Sequence, residues 1–319
     1  MIFYILYRIG QALALSFPLK FSYRAAVALA DIHYLLGFRE RRAVTENLKT
    51  VLAKPSQDDE LGQAAKDVFR NFAKYLVDFF RFSKMSPGYI KGFVKLEGLS
   101  NIEDALKYGK GVIMLSAHLG NWELGAFVLG TLGYPINAVV LTHRNVKIND
   151  FFKNQRAVGK MKSIEFGASL RGCYKALKNN ELLALLGDRD FSNNGLPVMF
   201  CGKLAVMPKG PAALSYRTGA AIVPSFITRN GDDTFTFAFE KPILPGAPPG
   251  LSPILSDRRS RGRPVGPEAA GDEDSAIKGI MGKYLPIIES YVTRYPGQWY
   301  VFRNFWNPSH EELHTNTVI

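Results

Sequence analysis

The sequence predicts an α/β fold, a mixed central sheet covered by helices and preceded by an N-terminal helical segment that associates with a membrane. Three observations carry this prediction. From Val112 to Phe239, short apolar runs alternate with segments of helical period, the pattern of a sheet packed against helices. Hydrophobic residues make up 47% of the 319 and charged residues 21%, which excludes a disordered or collagen-like chain. Finally, Met1 to Gly37 is rich in Phe, Tyr, Leu, Ile and Ala but is interrupted by Arg8, Lys20 and Arg24. No uncharged run there approaches the roughly 20 residues of a spanning helix, so one or two interfacial helices broken at Pro18 are expected, with Phe3, Tyr4, Leu6 and Phe17 toward lipid; a helical cap packed on the core is the alternative.

The elements follow in order. Arg39 to Asn47 and Asp58 to Phe82 have helical spacing, the second with Phe69, Phe72, Tyr75, Leu76, Phe79 and Phe80 on one stripe. Ser100 and Glu103 read as a capping box for a short helix that Gly109 ends. Strands are expected at Val112 to Ala117, Ile136 to Leu141, Met161 to Ile164 and Glu181 to Gly187, with helices Asn121 to Leu132, Ile148 to Val158 and Leu170 to Lys178 between them. Pro208 opens a helix ending near Gly219, whose free N–H groups could meet an anion. Strands Ala221 to Thr228 and Thr234 to Phe239 follow. Residues 244–275 cluster Pro, Gly and the basic run Arg258 to Arg263, and read as a mobile loop before a last helix, Ile277 to Thr293. Three regions result: a helical membrane-associating part over 1–90, an α/β domain over 91–306 and a tail over 307–319.

Forty Lys and Arg against twenty-eight Asp and Glu give a formal charge of +12, which favours anionic partners: nucleic acid, acidic lipid, phosphorylated substrates or an acidic carrier protein. Cys173 and Cys201 form no CxxC pair and have no paired histidines nearby, so neither a disulfide framework nor a metal site is expected.

Chemistry concentrates where the first of these strands ends, in Ser116-Ala117-His118-Leu119-Gly120-Asn121-Trp122-Glu123. Loops at the carboxyl ends of strands expose catalytic side chains, and Gly120 permits a tight turn into the helix carrying Glu123. With Glu123 accepting from one ring nitrogen of His118, the other is an unprotonated base for a hydroxyl. The turn Gly187-Asp188-Arg189-Asp190 also follows an apolar strand, so the two polar turns could converge on one pocket; alone it also reads as a salt-bridged loop.

The chain resembles the lysophospholipid acyltransferase superfamily, and within it the bacterial lipid A late acyltransferases (lauroyl and myristoyl transferases) and their mycobacterial mannoside-acylating relatives. The resemblance rests on His118 to Glu123, the Asp188-Arg189-Asp190 turn, Met207-Pro208-x-Gly210-Pro211, Arg156 before Gly159, and the tail around Trp299, Arg303 and Trp306. It implies a glycerol-3-phosphate-acyltransferase-like domain on the cytoplasmic face of the inner membrane. The implied reaction moves a fatty acyl group from acyl carrier protein or coenzyme A, as co-substrate, to a hydroxyl of a lipid A precursor or related glycolipid; a phosphatidylinositol mannoside or lysophospholipid acceptor is the alternative. His118 becomes the general base and Glu123 its orienting partner. By the same resemblance Arg156 and Asp188 become pocket residues. The phosphates of donor and acceptor add Arg189, Asp190 and Arg303 as expected substrate-binding residues, with Arg156 and Arg189 on an anionic group or the oxyanion and Asp188 positioning one of these arginines or bonding a sugar hydroxyl.

Two other classes fit the sequence less well. A serine hydrolase needs GxSxG, and Gly167-Ala168-Ser169-Leu170-Arg171-Gly172 has the wrong spacing. A non-catalytic basic protein on a membrane surface or nucleic acid would explain the charge, but no recognition-helix, zinc or RNP motif supports a nucleic-acid partner. Walker A and GxGxxG signatures are absent, so no nucleotide cofactor is expected.

Overall fold

A computed structural model describes residues 1–52, 58–166, 169–246 and 267–307. Two helices, α1 (Ile2–Ser16) and α2 (Leu19–Leu36), meet at Pro18, which cannot donate into a continuous ladder. Their outward faces carry Ile2, Ile5, Leu6, Ile9 and Leu13, then Phe21, Leu29, Ile32 and Leu36, all exposed at helical spacing. Tyr4 departs from the expected lipid side: it packs on the core beneath α1. No helix among the described residues is long and apolar enough to cross a membrane.

Helices α3 (Phe38–Leu52) and α4 (Asp58–Phe80) follow, then α5 (Pro87–Phe93). The stripe of α4 is core, with Val68, Phe69, Tyr75 and Phe79 buried. Strand β1 (Val94–Glu97) and helix α6 (Ser100–Leu106) lead into the central motif: β2 (Val112–Ser116), α7 (Trp122–Thr131), β3 (Ile136–Val140), α8 (Val146–Val158), β4 (Lys162–Glu165), α9 (Ser169–Lys178) and β5 (Leu182–Leu186). A hairpin, β6 (Leu196–Phe200) and β7 (Lys203–Met207), precedes α10 (Gly210–Thr218), β8 (Ala221–Arg229), β9 (Phe235–Phe239) and α11 (Pro267–Arg294).

Among the described residues, seven strands form one sheet in the order β1-β9-β8-β2-β5-β3-β4. It is parallel throughout except where β8 meets β9. The central strands are buried on both faces, which explains why β2, β5 and β8 read as nearly continuous apolar runs. One core lies beneath α7 and α8 and includes Met114, Phe127 and Val223. A second lies on the opposite face beneath α9, α10 and α11, with Ile113, Leu115 and Tyr284.

Several expectations need correction. Ser100 is inside α6; Leu99 is the N-cap, without a side-chain cap bond, so Ser100 and Glu103 form no capping box. Helix α10 begins at Gly210, after Pro208, and closes on Gly219 in the left-handed conformation. The expected loop 244–275 is helical from Pro267; residues 247–266, with the basic run Arg258 to Arg263, lie outside the described residues, as do Gly167, Ala168 and the tail from 308. Helix α5, strand β1 and the hairpin are additional elements.

Candidate active site

Strands β2 and β5 are parallel neighbours, with Ser116 opposite Leu186. The turns that leave their carboxyl ends therefore start side by side, and the polar clusters at His118 and Asp188 meet. The His118 ring Nδ1 lies 2.8 Å from Asp188 Oδ1, and the His118 backbone N–H donates to Oδ2 at 2.9 Å. Trp299 Nε1 also donates to Oδ2, at 3.0 Å. Burial opposes ionisation of Asp188, but the imidazole and these N–H donors hold its carboxyl below the usual carboxylate range. Ionised Asp188 can only accept, so Nδ1 carries the proton and donates, leaving Nε2 as a free base. Burial pushes the His118 imidazole below the ordinary histidine range against the pull of Asp188; Arg189 and Arg303 push the same way as burial.

This differs from the expected pairing of His118 with Glu123. Glu123 sits in the first turn of α7 and takes Arg156 from α8: Arg156 Nη2 donates at 2.6 Å, and Nε donates to both carboxylate oxygens at 3.0 and 3.1 Å. Both side chains are nearly buried. Burial works against the Arg156 charge, yet Glu123 raises its pKa above the ordinary arginine value. The expected use of Arg156 as a free cation for an anion meets the same finding, because its charge is matched by a buried carboxylate.

The turn itself is fixed by backbone geometry. Gly120 has φ +65°, and a Cβ there would lie 1.9 Å from the Ile227 carbonyl oxygen, so no side chain fits. Asn121 then caps α7, its Oδ1 accepting from Leu124 N–H at 3.0 Å. Its Nδ2 donates at 2.9 Å to Asp78, a fully buried carboxylate on α4 that also pairs with Arg229 and accepts from Tyr23 of α2. From the other side the C-terminal segment is laced to the turn: Gly120 N–H donates to Gln298 O at 2.9 Å and Tyr300 N–H to His118 O at 2.7 Å.

The remaining candidates divide. Asp190 is spent within its own turn, accepting from Ser192 N–H and Oγ and from Gly195 N–H. Arg189 stacks on Phe191 with its Cζ 5.0 Å from the ring centroid, and Arg303 approaches the same ring at 5.7 Å. The Phe191 ring in turn lies 6.3 Å from the imidazole.

Sequence reasoning did not single out Asp78, Asn121 or Arg229, and gave Trp299 no role at Asp188. Asp78 had a signal: it is a carboxylate one residue from Phe79 in the apolar stripe of α4. Trp299 had none, since only the fold brings it 111 positions back to Asp188.

A cavity of about 700 Å³ opens at His118 and Glu123. Its walls are mostly apolar, and they fall on both faces of the sheet around its carboxyl edge. Met114, Ala138 and Ala184 line it on the α7 side, where small strand residues leave room. Val139, Cys173 and Leu185 line it on the other. Burial pushes the Cys173 thiol up to about 11, so it stays protonated at neutral pH and is a poor nucleophile.

The two polar turns thus converge on one largely apolar cavity, and comparison with known proteins decides the family. Residues 1–245 match the model of the bacterial lipid A biosynthesis acyltransferases. The chain belongs to that family. It is 27% identical over 193 residues to a phosphatidylinositol mannoside acyltransferase of Mycolicibacterium smegmatis, covering 58% of this chain and 62% of that one. It is 24% identical over 212 residues to the lipid A biosynthesis palmitoleoyltransferase of Escherichia coli K12, covering 66% and 68%. The lipid A biosynthesis lauroyltransferase of the same organism is 25% identical over 249 residues, covering 77% and 78%. The chain thus spans less than two thirds of the first mannoside acyltransferase's length.

Proposed function

We propose that this protein transfers a fatty acyl chain from a thioester to a hydroxyl of a membrane glycolipid, with His118 as general base and Asp188 as its positioning partner. The observation that carries this reading is the His118–Asp188 pair, 2.8 Å apart at the mouth of an apolar cavity of about 700 Å³. The cavity receives the fatty chain and brings the thioester carbonyl to the imidazole. Nε2 takes the proton of the acceptor hydroxyl as its oxygen attacks that carbonyl, and Asp188 stabilises the imidazolium that forms. When the tetrahedral intermediate collapses, the C–S bond breaks and the imidazolium returns its proton to the leaving sulfur. The products are an ester and a free thiol. Glu123 and Arg156 form a neutralised wall beside the base, a less costly arrangement in an apolar site than either charge alone.

The donor is the thioester of acyl carrier protein or coenzyme A, and the acceptor is a lipid A precursor or a phosphatidylinositol mannoside, the lipids in the relatives' names. The apolar outward faces of α1 and α2, with Arg8, Lys20 and Arg24 among them, supply a peripheral seat on an anionic membrane surface, the cytoplasmic face of the inner membrane in this reading. A non-catalytic membrane-binding protein would have the same seat but no use for a buried, oriented imidazole.

The test is thioester consumption by the purified protein with glycolipid present, compared with His118→Ala. The variant should lose about two to four orders of magnitude in rate, the range for a general base. Equal turnover by the variant, or an acylated side chain trapped during turnover, would sink the mechanism.

A further inference from the structure

The turn after β5 holds one charge that the proposed transfer does not use. Asp188 is occupied by His118 and Trp299, and Asp190 by the residues of its own turn. Arg189, between them, pairs with neither: its Nε is buried and has no hydrogen-bond partner among the described residues. A buried guanidinium N–H left unmade is costly, and in a cleft a ligand oxygen can complete the bond. The surroundings sharpen this. Burial, and then the like charge of Arg303, push the Arg189 guanidinium down to about 10, so two cations are held near each other against their repulsion. Both sit on the Phe191 ring, whose packing restricts where they can point. Arg189 and His118 line the same cavity.

We propose that Arg189 and Arg303 form a phosphate site for the acceptor glycolipid, holding a phosphate about one sugar ring away from the hydroxyl being acylated. This rests on the acyl-transfer reading above. The alternative source of phosphate is the donor, and reach argues against it. In a phosphopantetheine thioester roughly thirteen bonds separate sulfur from phosphorus, about 15 Å when extended at the 3.3–3.6 Å per three bonds of a stretched chain. With the thioester carbonyl at His118, an extended arm puts that phosphate about 15 Å from the imidazole. Arg189 and Arg303 are instead one aromatic ring from the imidazole, near enough that both lower its basicity. A phosphatidylinositol mannoside carries its phosphodiester on the ring next to the mannose, and a phosphorylated disaccharide lipid carries its phosphates on the sugars themselves. Either places an anion at the range these cations require. A planar guanidinium suits this use, because two of its N–H groups can meet two phosphate oxygens.

The experiment compares matched acceptors that differ only in phosphate: phosphatidylinositol mannoside against mannosyl diacylglycerol, and a lipid A precursor before and after phosphatase treatment. The wild type should prefer the phosphorylated acceptor of the pair it uses by about ten- to a hundredfold in kcat/KM, the usual worth of a charge-assisted contact. Arg189→Gln should reduce that preference to a few-fold, Arg189→Lys should recover part of it, and Arg303→Gln should lower it independently. In the wild type, inorganic phosphate should inhibit competitively against the glycolipid and not against the acyl thioester. A preference unchanged in both glutamine variants would overturn the proposal. So would a raised KM for the thioester with the acceptor preference intact, which would assign the cations to the donor. If the wild type transfers to neither acceptor pair, the acyl-transfer reading itself has failed. If Arg189→Gln does not fold, phosphate inhibition of the wild type and the Arg303→Gln comparison still decide the matter.

Discussion

Replacing Asp188 by asparagine separates the two carboxylates that compete for the role of positioning His118. Two N–H donors converge on Asp188 Oδ2, from the His118 backbone at 2.9 Å and Trp299 Nε1 at 3.0 Å, and one ring nitrogen faces Oδ1 at 2.8 Å. An amide has a single oxygen. The orientation that keeps both N–H donors satisfied puts this oxygen at the Oδ2 position and turns the NH2 toward Nδ1. Nδ1 must then accept, the ring proton moves to Nε2, and the base is lost with little change in shape. The same carboxylate-to-amide change in a serine protease triad costs about 10⁴ in kcat, so a loss of about 10³ to 10⁴ is expected here. Stability should fall by only about 1.5–3 kcal/mol, the worth of a hydrogen bond to a charged group. Glu123→Gln should behave in the opposite way: it leaves the imidazole tautomer alone but strips a buried partner from Arg156, costing up to about 3–5 kcal/mol of stability. Steady-state acylation and thermal melts on both variants measure the contrast. If Asp188→Asn retained rate within tenfold of wild type while Glu123→Gln lost a thousandfold and still folded, the imidazole would have to be returned to Glu123.

Because the His118 pKa is depressed below the ordinary histidine value of 6.5, its neutral, active form dominates above that pH; kcat/KM should therefore be flat through neutrality and fall only below about 6.5. Arg303→Gln removes a cation that lowers this pKa, so its acid limb should shift to higher pH, and an unshifted or downward-moving limb would contradict the electrostatic account. Gly120→Ala combines a left-handed φ with a Cβ 1.9 Å from a carbonyl oxygen, whereas Gly109→Ala has a similar φ of +66° and open space. Gly109→Ala should cost about 1–2 kcal/mol in a denaturant titration and Gly120→Ala clearly more; equal losses would mean that the turn has room to move. Leu6→Glu with Ile9→Glu should weaken sedimentation with anionic vesicles without altering the melt, since both side chains are about half exposed on α1. High salt should weaken the wild type further, by about 1 kcal/mol per screened cation near the surface, and vesicle binding indifferent to both changes would remove the membrane seat.

Much of this molecule was determined by local pattern. The alternation of apolar runs and helical segments from Val112 to Phe239 is enough to place β2, β3, β4, β5, β8 and β9; β2 and β8 are buried along nearly their whole length and so continuously apolar, while β9 alternates buried Phe with half-buried residues. Pro18 breaks the N-terminal helices and Gly120 turns the chain before α7 for reasons that belong to single residues. The short strand β1 and the hairpin of β6 and β7 were not legible, since their residues are largely exposed and form no continuously buried run, and β1 is secured by pairing with β9 far along the chain. The site divides in the same way. That His118 and the Asp188 turn would be polar points at strand ends was written in their neighbours. Which carboxylate would meet the imidazole was not: Glu123 is five positions away and Asp188 seventy, and sequence proximity favoured the wrong one. The order of the sheet decided it. Placing β5 directly beside β2 brings Asp188 to His118, while the first turn of α7 presents Glu123 to α8 and Arg156. Residue types and turns are local properties, but the partner of a buried charge is set by whichever opposite or hydrogen-bonding group the packed chain delivers to it, and that is a property of the whole fold.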